Sequence, residues 1–329
     1  MSFLTRRAWM LRSAALVGPG LGQAVHAQPA GWPSRPIRLI VVYPVGGVSD
    51  LIARALSHKL AERWQTSVVV DNRAGASGSV GMAALAAAPA DGYTLAFSAI
   101  TPLSLLPHLT TLPYDPTTAI APVSAVMSTP ALLVGTSAFD GQRFADLLAP
   151  HHQATVQRWA TTGVGTTGHL VLEQVRAATG IHIVHIPYKG GARQLNDALS
   201  GQFELLSTNA GAAQFGHIRA GRLKALAVGA AARLDALPGV PTFDELGLPQ
   251  ANLASLFGLF APAGLPADIV AYINQSAQQI IAQPEMRALL AANDSQPVAG
   301  DAASFAQRIK QESASSRRIV KAAKMRLTE

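Results

Sequence analysis

The chain has 329 residues, long enough for two domains of ordinary size, and it contains no cysteine, which excludes disulfide bonds and thiolate metal sites. Its formal net charge is +7, and charged residues make up only 14% of it, which suits a tightly packed α/β protein rather than a disordered one. Acidic residues are scattered among the basic ones, so no basic run would follow a nucleic acid, and we expect no nucleic-acid partner.

The first 27 residues have the pattern of a signal peptide. Arg6 and Arg7 precede a small-residue apolar stretch at 13–23, and Val25–Ala27 fits a signal-peptidase site. The apolar stretch is too short and too rich in glycine to span a bilayer. We therefore expect residues 1–27 to be removed and the mature protein to lie outside the cytoplasm, exported by the Sec or the Tat route.

The stretch Ile37–Leu51 predicts a strand, a glycine turn and a helix. A β-branched run from Ile37 to Val42 is typical of a central strand buried on both faces, and proline and glycine then end it. Ser49 and Asp50 are helix-start residues. Free N–H groups and the positive end of the helix dipole suit an anion at such a turn, although a turn without a ligand is an equally good interpretation. A nucleotide P-loop is excluded because no Gly-Lys-Ser/Thr follows.

Short connections join the next predicted elements. A strand at 67–70 leads through a second glycine-rich turn at 71–79 into a helix, and Thr94–Ser98 is a third strand. This alternation implies right-handed crossovers and a parallel sheet. Two short apolar runs follow, at 121–127 and 131–134.

A second block repeats the pattern and predicts an inserted domain. We expect a strand at 154–161, a glycine turn at 162–168, a helix ending at Gly180, and further strands near 181–186, 203–207 and 225–228. Apolar, proline-bearing stretches mark both ends of the block. The predicted organisation is a first lobe at 28–130, an inserted second lobe at 131–255, and a return to the first lobe at 256–329. Two lobes joined by two crossings form a cleft, and a ligand that bridges it favours closure.

The second glycine turn contains residues that also occur in dinucleotide-binding and hydrolase sites. Gly163–Gly168 matches the pattern GxGxxG, but no acidic residue lies about twenty positions on, so dinucleotide binding is disfavoured. His169 follows the turn and is a candidate general base of an exported hydrolase, although no GxSxG elbow is present. His182 and His185 point to opposite faces of a strand, and His151 and His152 are expected in a loop without a third ligand.

Several stretches together resemble the Bug-type receptors, the extracytoplasmic solute-binding components of tripartite tricarboxylate transporters. The resemblance covers nearly all of Trp32–Lys324 and is specific because the motifs occur in one order. They lie at 32–37, 46–50, 69–73, 91–95, 112–116, 165–170, 187–190, 240–242 and 258–264.

The resemblance implies a fold and a function. The fold is α/β, a two-lobed periplasmic-binding-protein fold of the type II Venus-flytrap kind, each lobe a mainly parallel sheet flanked by helices, with two crossing strands as hinge. The function is capture of a small carboxylate between the lobes, for uptake or sensing, without catalysis, cofactor or metal. Expected partners are membrane subunits of a tripartite tricarboxylate transporter or a sensor ectodomain, and the receptor itself is expected to be a monomer.

The same resemblance implies the ligand-binding residues. In the first lobe they are Val45, Gly46, Gly47, Val48, Ser49, Asp50, Ser77, Ala99 and Thr101. In the second lobe they are Thr162, Gly165, Thr166, Thr167, His169, Lys189 and Asn209. A carboxylate held by several N–H and hydroxyl donors needs no arginine. Asp50 would repel a carboxylate, so we expect it to cap its own helix, to hold water or to meet a ligand hydroxyl or amine.

Overall fold

The computed structural model describes residues 28–323 and 325, so the predicted signal peptide lies outside the described residues. The strands are β1 (Ile37–Val41), β2 (Val68–Asn72), β3 (Thr94–Ala99), β4 (Ile120–Gly135), β5 (Gln157–Thr161), β6 (Ile183–Pro187), β7 (Leu205–Asn209), β8 (Lys224–Gly229), β9 (Ala254–Pro262) and β10 (Gln296–Pro297). The helices are α1 (Val48–Trp64), α2 (Ser79–Ala86), α3 (Thr101–Ser104), α4 (Phe144–Leu147), α5 (Pro150–Ala154), α6 (Thr167–Thr179), α7 (Gly191–Leu199), α8 (Ala212–Arg219), α9 (Ala267–Ile281), α10 (Pro284–Ala291) and α11 (Ala302–Ala322).

Strand β4 runs through both halves of the molecule. The strand order is β2-β1-β3-β9-β4-β7-β5-β6, and β8 and β10 also pair with β4. Residues 120–130 of β4 pair with β9, whereas residues 131–135 pair with β7 and β8. We call the half containing β1–β3, β9 and β10 lobe 1 and the half containing β5–β8 lobe 2. This two-lobed α/β arrangement confirms the predicted fold class.

The sheets are mixed, with the parallel part confined to three strands of each lobe. Strand β1 pairs in parallel with β2 and β3, and β5 pairs in parallel with β6 and β7. The long strand β4 is antiparallel to all its partners, and β9 is antiparallel to β3. The carboxyl ends of β1, β3, β5 and β7 each lead into a turn and then a helix, which is where α/β sheets form ligand sites.

Each lobe has its own hydrophobic core. Two clusters of buried side chains draw only on residues 32–127 and 256–309, and two others draw only on residues 131–251. A small fifth cluster joins the lobes through Leu105, Leu170 and Val320. These cores support the division at 131 and 255, which we retain as a proposed boundary.

Local differences from the sequence prediction have physical reasons. The apolar runs at 121–127 and 131–134 form the single strand β4, because Pro122 sits at a register shift and Pro130 at the passage between lobes, where a missing N–H is tolerated. Ala154 ends α5, so the strand predicted from 154 begins at Gln157 instead. His151 and His152, predicted in a loop, lie in the same short helix.

Candidate functional site

A cavity of about 350 Å³ lies between the lobes. Its walls come from β-strand ends and the helix starts that follow them, contributed by both lobes. From lobe 1 the lining includes residues 43–44, 46–51, Arg54, Ala99, Thr101, Phe257 and Asn293, and from lobe 2 it includes Thr162, residues 166–168, 190–192, Leu195, 208–209 and 211–214, with Ser255 at the crossing.

The lobe 1 wall is the turn between β1 and α1. Gly46 has a φ of +92°, a left-handed conformation that favours glycine, and Gly47 is the N-cap of the 17-residue α1. The Gly46 N–H donates to Asp50 Oδ2 at 3.1 Å, so the Asp50 carboxylate closes the turn from behind. The next N–H groups, at the first turn of α1, have no partner within the helix and border the cavity.

Asp50 and Arg54 neutralise each other at this wall. Arg54 Nε lies 3.1 Å from both Asp50 oxygens, and the same guanidinium donates to Asn72 Oδ1 at 2.8 Å. Burial raises the pKa of Asp50, but hydrogen bonds from Arg54, Asn72 and the Gly46 N–H outweigh it and leave the pKa below its ordinary value. Asp50 is therefore a carboxylate at neutral pH, and its negative charge is paired with the positive charge of Arg54.

A phenol completes the lobe 1 wall. Burial raises the pKa of Tyr43, with smaller opposing effects from hydrogen bonds to Ser98, Ala99 and Thr101. The Tyr43 hydroxyl is therefore neutral at physiological pH and adds no charge beside the ligand space.

The lobe 2 wall contains the start of α6. Thr166 is the N-cap, and its Oγ1 accepts from the His169 N–H at 3.4 Å. The turn is further held by the Gly165 N–H, which donates to His169 Nδ1 at 3.1 Å. Gly168 packs so closely on β7 that a Cβ there would lie 2.9 Å from the Ser207 carbonyl oxygen. Close helix–strand packing thus fixes the direction of α6.

Two more helices of lobe 2 begin at the same cavity. Helix α7 starts at Gly191 with Gly190 as N-cap, and α8 starts at Ala212 with Gly211 as N-cap. The Ala212 N–H donates to Asn293 Oδ1 of lobe 1 at 3.1 Å, whereas Gly191 and Ala192 present the open first turn of α7.

The four helix starts make the cavity electropositive without a free cation. The first residues of helices α1, α6, α7 and α8 all line this one cavity. Helix N-termini carry partial positive charge and N–H groups without helical partners, so the arrangement favours an anion. Among the lining residues, all of which belong to the described part of the chain, Arg54 is the one lysine or arginine and Asp50 the one carboxylate. The geometry therefore suits a small organic anion that accepts hydrogen bonds from main-chain N–H groups.

Comparison with known proteins identifies the family. The profile of the tripartite tricarboxylate transporter family receptor, TctC, matches residues 52–325. The chain belongs to this receptor family. Protein BugT of Bordetella pertussis is 34% identical to the receptor over 298 residues, covering 88% of this chain and 90% of BugT.

Solved structures show the same fold. R. palustris Rpa4515 with adipate is 31% identical, with a TM-score of 0.84, over 90% of this receptor and 100% of that chain. The periplasmic binding protein BugD is 28% identical, with a TM-score of 0.82, over 89% and 98% of the two chains. The receptor therefore shares its two-lobed fold with periplasmic solute-binding proteins. Across the described residues, none of the helices combines the length and the hydrophobicity that a membrane-spanning segment requires.

Eleven of the sixteen predicted site residues line the cavity of the receptor. They are Gly46, Gly47, Val48, Ser49, Asp50, Ala99, Thr101, Thr162, Thr166, Thr167 and Asn209. Their contacts with a ligand stay predictions, but the structure brings them together around one space. Asp50 caps its own turn, one of the roles expected of it.

Five predicted residues lie outside the cavity lining. The Val45 side chain is 60% exposed at the outside of its turn, and Lys189 is also exposed. Ser77 Oγ donates to the Val164 carbonyl oxygen of the other lobe at 2.5 Å. Gly165 faces Leu106 of lobe 1, and His169 is buried behind the turn, stacked on the His185 ring with centroids 4.3 Å apart. These residues shape the turns and the lobe contact rather than the cavity surface.

Sequence reasoning missed the starts of α7 and α8 and the cavity residue Asn293. The starts of α7 and α8 are recognisable in the sequence, because Gly190-Gly191 closely follows β6 and Gly211 closely follows β7. This is the same strand-to-helix pattern as at Gly46-Gly47. Asn293 carries no such signal, since it follows α10 far along the chain and reaches the site only through folding.

Proposed function

We propose that this protein is a periplasmic receptor that captures a small carboxylate between its lobes for uptake or for sensing. The observation that carries the proposal is the convergence of the α1, α6, α7 and α8 N-termini on one cavity whose single arginine is already paired. Each hydrogen bond from such a donor to a carboxylate contributes about 1.5–3 kcal/mol. Donors from both lobes are needed for the full set, so binding favours the closed arrangement.

The structural relative from R. palustris supports a first choice of ligand to test. That protein is described with adipate, a linear dicarboxylate. It is 31% identical to this receptor, and the match covers 90% of this chain and 100% of that chain. A dicarboxylate fits the arrangement here, because the α1 start on one wall and the α6 and α7 starts on the other offer two separate groups of N–H donors. We therefore propose linear dicarboxylates as the first class to test, ahead of tricarboxylates, amino acids and aromatic acids.

The alternative function, an exported hydrolase with His169 as general base, has less support. His169 Nδ1 accepts from the Gly165 N–H, its Nε2 lies 3.5 Å from Glu173 Oε1, and its side chain is only 7% exposed. A general base must reach a substrate proton, and this ring lies behind the cavity wall. The positions of His169 and the family membership both favour binding without turnover.

Thermal shift with matched pairs of solutes tests the proposal. Purified receptor is heated with mono-, di- and tricarboxylates, amino acids and aromatic acids, each beside its neutral amide, for example adipate beside adipamide. A ligand that binds only the folded state raises stability by RT ln(1 + [L]/Kd), about 2.7 kcal/mol at one hundred times Kd. We expect a rise in Tm with at least one carboxylate and none with its amide. A rise with neutral solutes alone would reject the ligand class.

Downstream partners follow from the same proposal. We infer delivery to membrane subunits of a tripartite tricarboxylate transporter, or contact with a sensor ectodomain, by a monomeric receptor. Pull-down from membranes with and without the carboxylate distinguishes the two partners, because only one of them contains membrane-spanning transport subunits.

A further inference from the structure

Three potential metal ligands meet on lobe 2, at the end of β5 away from the carboxylate cavity. His151 and His152 lie in α5, and Asp140 lies in the loop before α4. Asp140 Oδ1 is 3.6 Å from His151 Nε2 and 3.5 Å from His152 Nε2, and one ligand atom from each residue lies within 4.8 Å of the others. We propose that these residues form a binding site for a borderline divalent cation, with Zn²⁺ as the best-suited ion.

The distances are close to those of a metal-bound triad. Zn²⁺ binds imidazole nitrogen and carboxylate oxygen at about 2.0–2.2 Å, which places neighbouring ligands of a tetrahedral site about 3.3–3.5 Å apart. The Asp140 oxygen already meets this spacing to within a few tenths of an ångström. His151 and Asp140 are 60% and 77% exposed, so their side chains adjust without disturbing the core, and water completes the coordination.

His152 supplies the observation that points to a ligand. Its side chain is only 8% exposed, and its Nε2 makes no hydrogen bond, although Asp140 Oδ1 lies 3.5 Å away. The ring packs against Phe139 at a tilt of 32°, with centroids 4.9 Å apart, which restricts its movement. A buried, rigidly held imidazole nitrogen without a partner costs free energy, and coordination of a cation removes that cost.

Gln157 provides the supporting hydrogen bond that a metal-binding histidine needs. Its amide Nε2 lies 3.4 Å from His152 Nδ1 and also donates to Thr155 Oγ1 at 3.0 Å and to the His152 carbonyl oxygen at 3.4 Å, whereas its Oε1 is buried and has no hydrogen-bond partner. Turning the amide over presents Gln157 Oε1 to the His152 Nδ1–H, which leaves the lone pair of His152 Nε2 for the metal. The Thr155 hydroxyl, which donates to the His151 carbonyl oxygen, then turns to donate to Gln157 Oε1. The oxygen and nitrogen of a glutamine amide occupy nearly the same positions, so the exchange requires no movement of the backbone.

Neighbouring charges leave the three ligands available. Asp146 accepts from the N–H groups of Gln142 and Arg143, at 2.7 and 2.9 Å. Lys224 Nζ donates to the Phe139 carbonyl oxygen at 2.5 Å rather than to Asp140. A bound ion would join the loop before α4 to α5 and stiffen this end of lobe 2.

Calorimetric titration of chelator-treated, tag-free receptor with Zn²⁺ tests the site. We expect one stoichiometric site and a Zn²⁺-dependent rise in Tm, with at least about tenfold weaker binding for the exposed-ligand variants Asp140→Ala and His151→Ala. The matched control is His58→Ala, which removes an exposed histidine paired with Glu62 at 3.3 Å. Co²⁺ in place of Zn²⁺ reports the coordination directly through its visible absorption.

Two results would overturn the metal site. One is a receptor without a saturable, one-to-one Zn²⁺ site. The other is a site whose affinity is equal in the Asp140→Ala, His151→Ala and His58→Ala variants, which would assign Zn²⁺ to scattered surface histidines. Carboxylate binding is measured in parallel and is expected to be unchanged in all three variants, since the cavity lies at the other end of β5.

Discussion

The side-chain oxygen of Asn293, in lobe 1, accepts a hydrogen bond from the backbone N–H of Ala212, the first residue of α8 in lobe 2, at 3.1 Å. Asn293 is 4% exposed, and its Nδ2 donates to the Leu289 carbonyl oxygen at 2.9 Å, so the amide is fixed at both ends. One lobe thus caps a helix of the other across the ligand cavity.

Replacing Asn293 is expected to weaken closure. Asn293→Ala removes the acceptor, and we expect carboxylate binding to weaken by about 0.5–1.5 kcal/mol because the closed arrangement loses one hydrogen bond. Asn293→Asp keeps the acceptor at a helix N-terminus, so stability should be retained, but its negative charge lines the cavity. Titration calorimetry measures the carboxylate affinity of both variants, and thermal unfolding measures their stability. Equal loss of affinity in the two variants would contradict a role for charge in the cavity.

Gly47 is expected to tolerate a side chain in the fold but not in the binding reaction. Its φ is −85°, and a Cβ would meet only Ser49 Oγ, at 3.9 Å, so Gly47→Val introduces no backbone clash. The new side chain stands over the first-turn N–H groups of α1, and we expect at least about a tenfold loss of affinity, or 1.4 kcal/mol, with Tm nearly unchanged. Gly239→Val is the matched control, because a Cβ there meets nothing within 4 Å and Gly239 is not among the cavity-lining residues. Unaltered affinity in Gly47→Val would refute this wall of the pocket.

Asp50 and Arg54 are expected to matter to binding only as a pair. Arg54→Gln leaves the Asp50 carboxylate uncompensated beside the ligand, so affinity for a carboxylate should fall. The double variant Asp50→Asn with Arg54→Gln removes both charges, and we expect it to recover most of the lost affinity, which a double-mutant cycle by calorimetry measures. If the double variant binds no better than Arg54→Gln, the arginine contacts the ligand directly.

His185 is expected to make the receptor less stable in acid. Burial lowers the pKa of His185 to about 3, with smaller contributions from His169 and Arg176, against an ordinary value of 6.5. Below pH 6.5 the unfolded chain therefore binds a proton at His185 that the folded chain does not bind. The contribution of the neutral His185 to folding stability is complete above pH 6.5 and is lost as the pH falls toward 3. In the His185→Gln variant, the free energy of unfolding should fall less steeply with decreasing pH, by up to about 1.4 kcal/mol per pH unit. Urea unfolding between pH 4 and 8 measures it, and parallel curves would contradict it.

The sequence predicted the elements whose signal is local. Apolar runs ending in glycine placed β1, β5 and the starts of α1 and α6 within a few residues, because strand and helix periodicity and turn chemistry are short-range properties. The Venus-flytrap fold class and the receptor family were also recognised from ordered motifs and are confirmed by the matching relatives.

The sequence did not predict what depends on distant segments meeting. Asn293 and Ser255 reach the cavity from the last third of the chain, and Asp140 meets His151 and His152 only because the chain folds back through α4. The sequence predicted His169 as a ligand contact, but its ring lies behind the cavity wall, stacked against His185. Side-chain direction at a turn depends on packing, which a single sequence does not reveal.

Amide-proton NMR of the receptor, titrated with the carboxylate that most raises its Tm, shows whether N–H groups of both lobes bind one ligand. We predict downfield shifts at saturation for Gly47–Ser49 of α1 and for Gly191 and Ala192 of α7, because N–H groups of both lobes donate to the ligand. Saturable binding that leaves these amides unmoved, or that moves those of one lobe alone, would contradict the account.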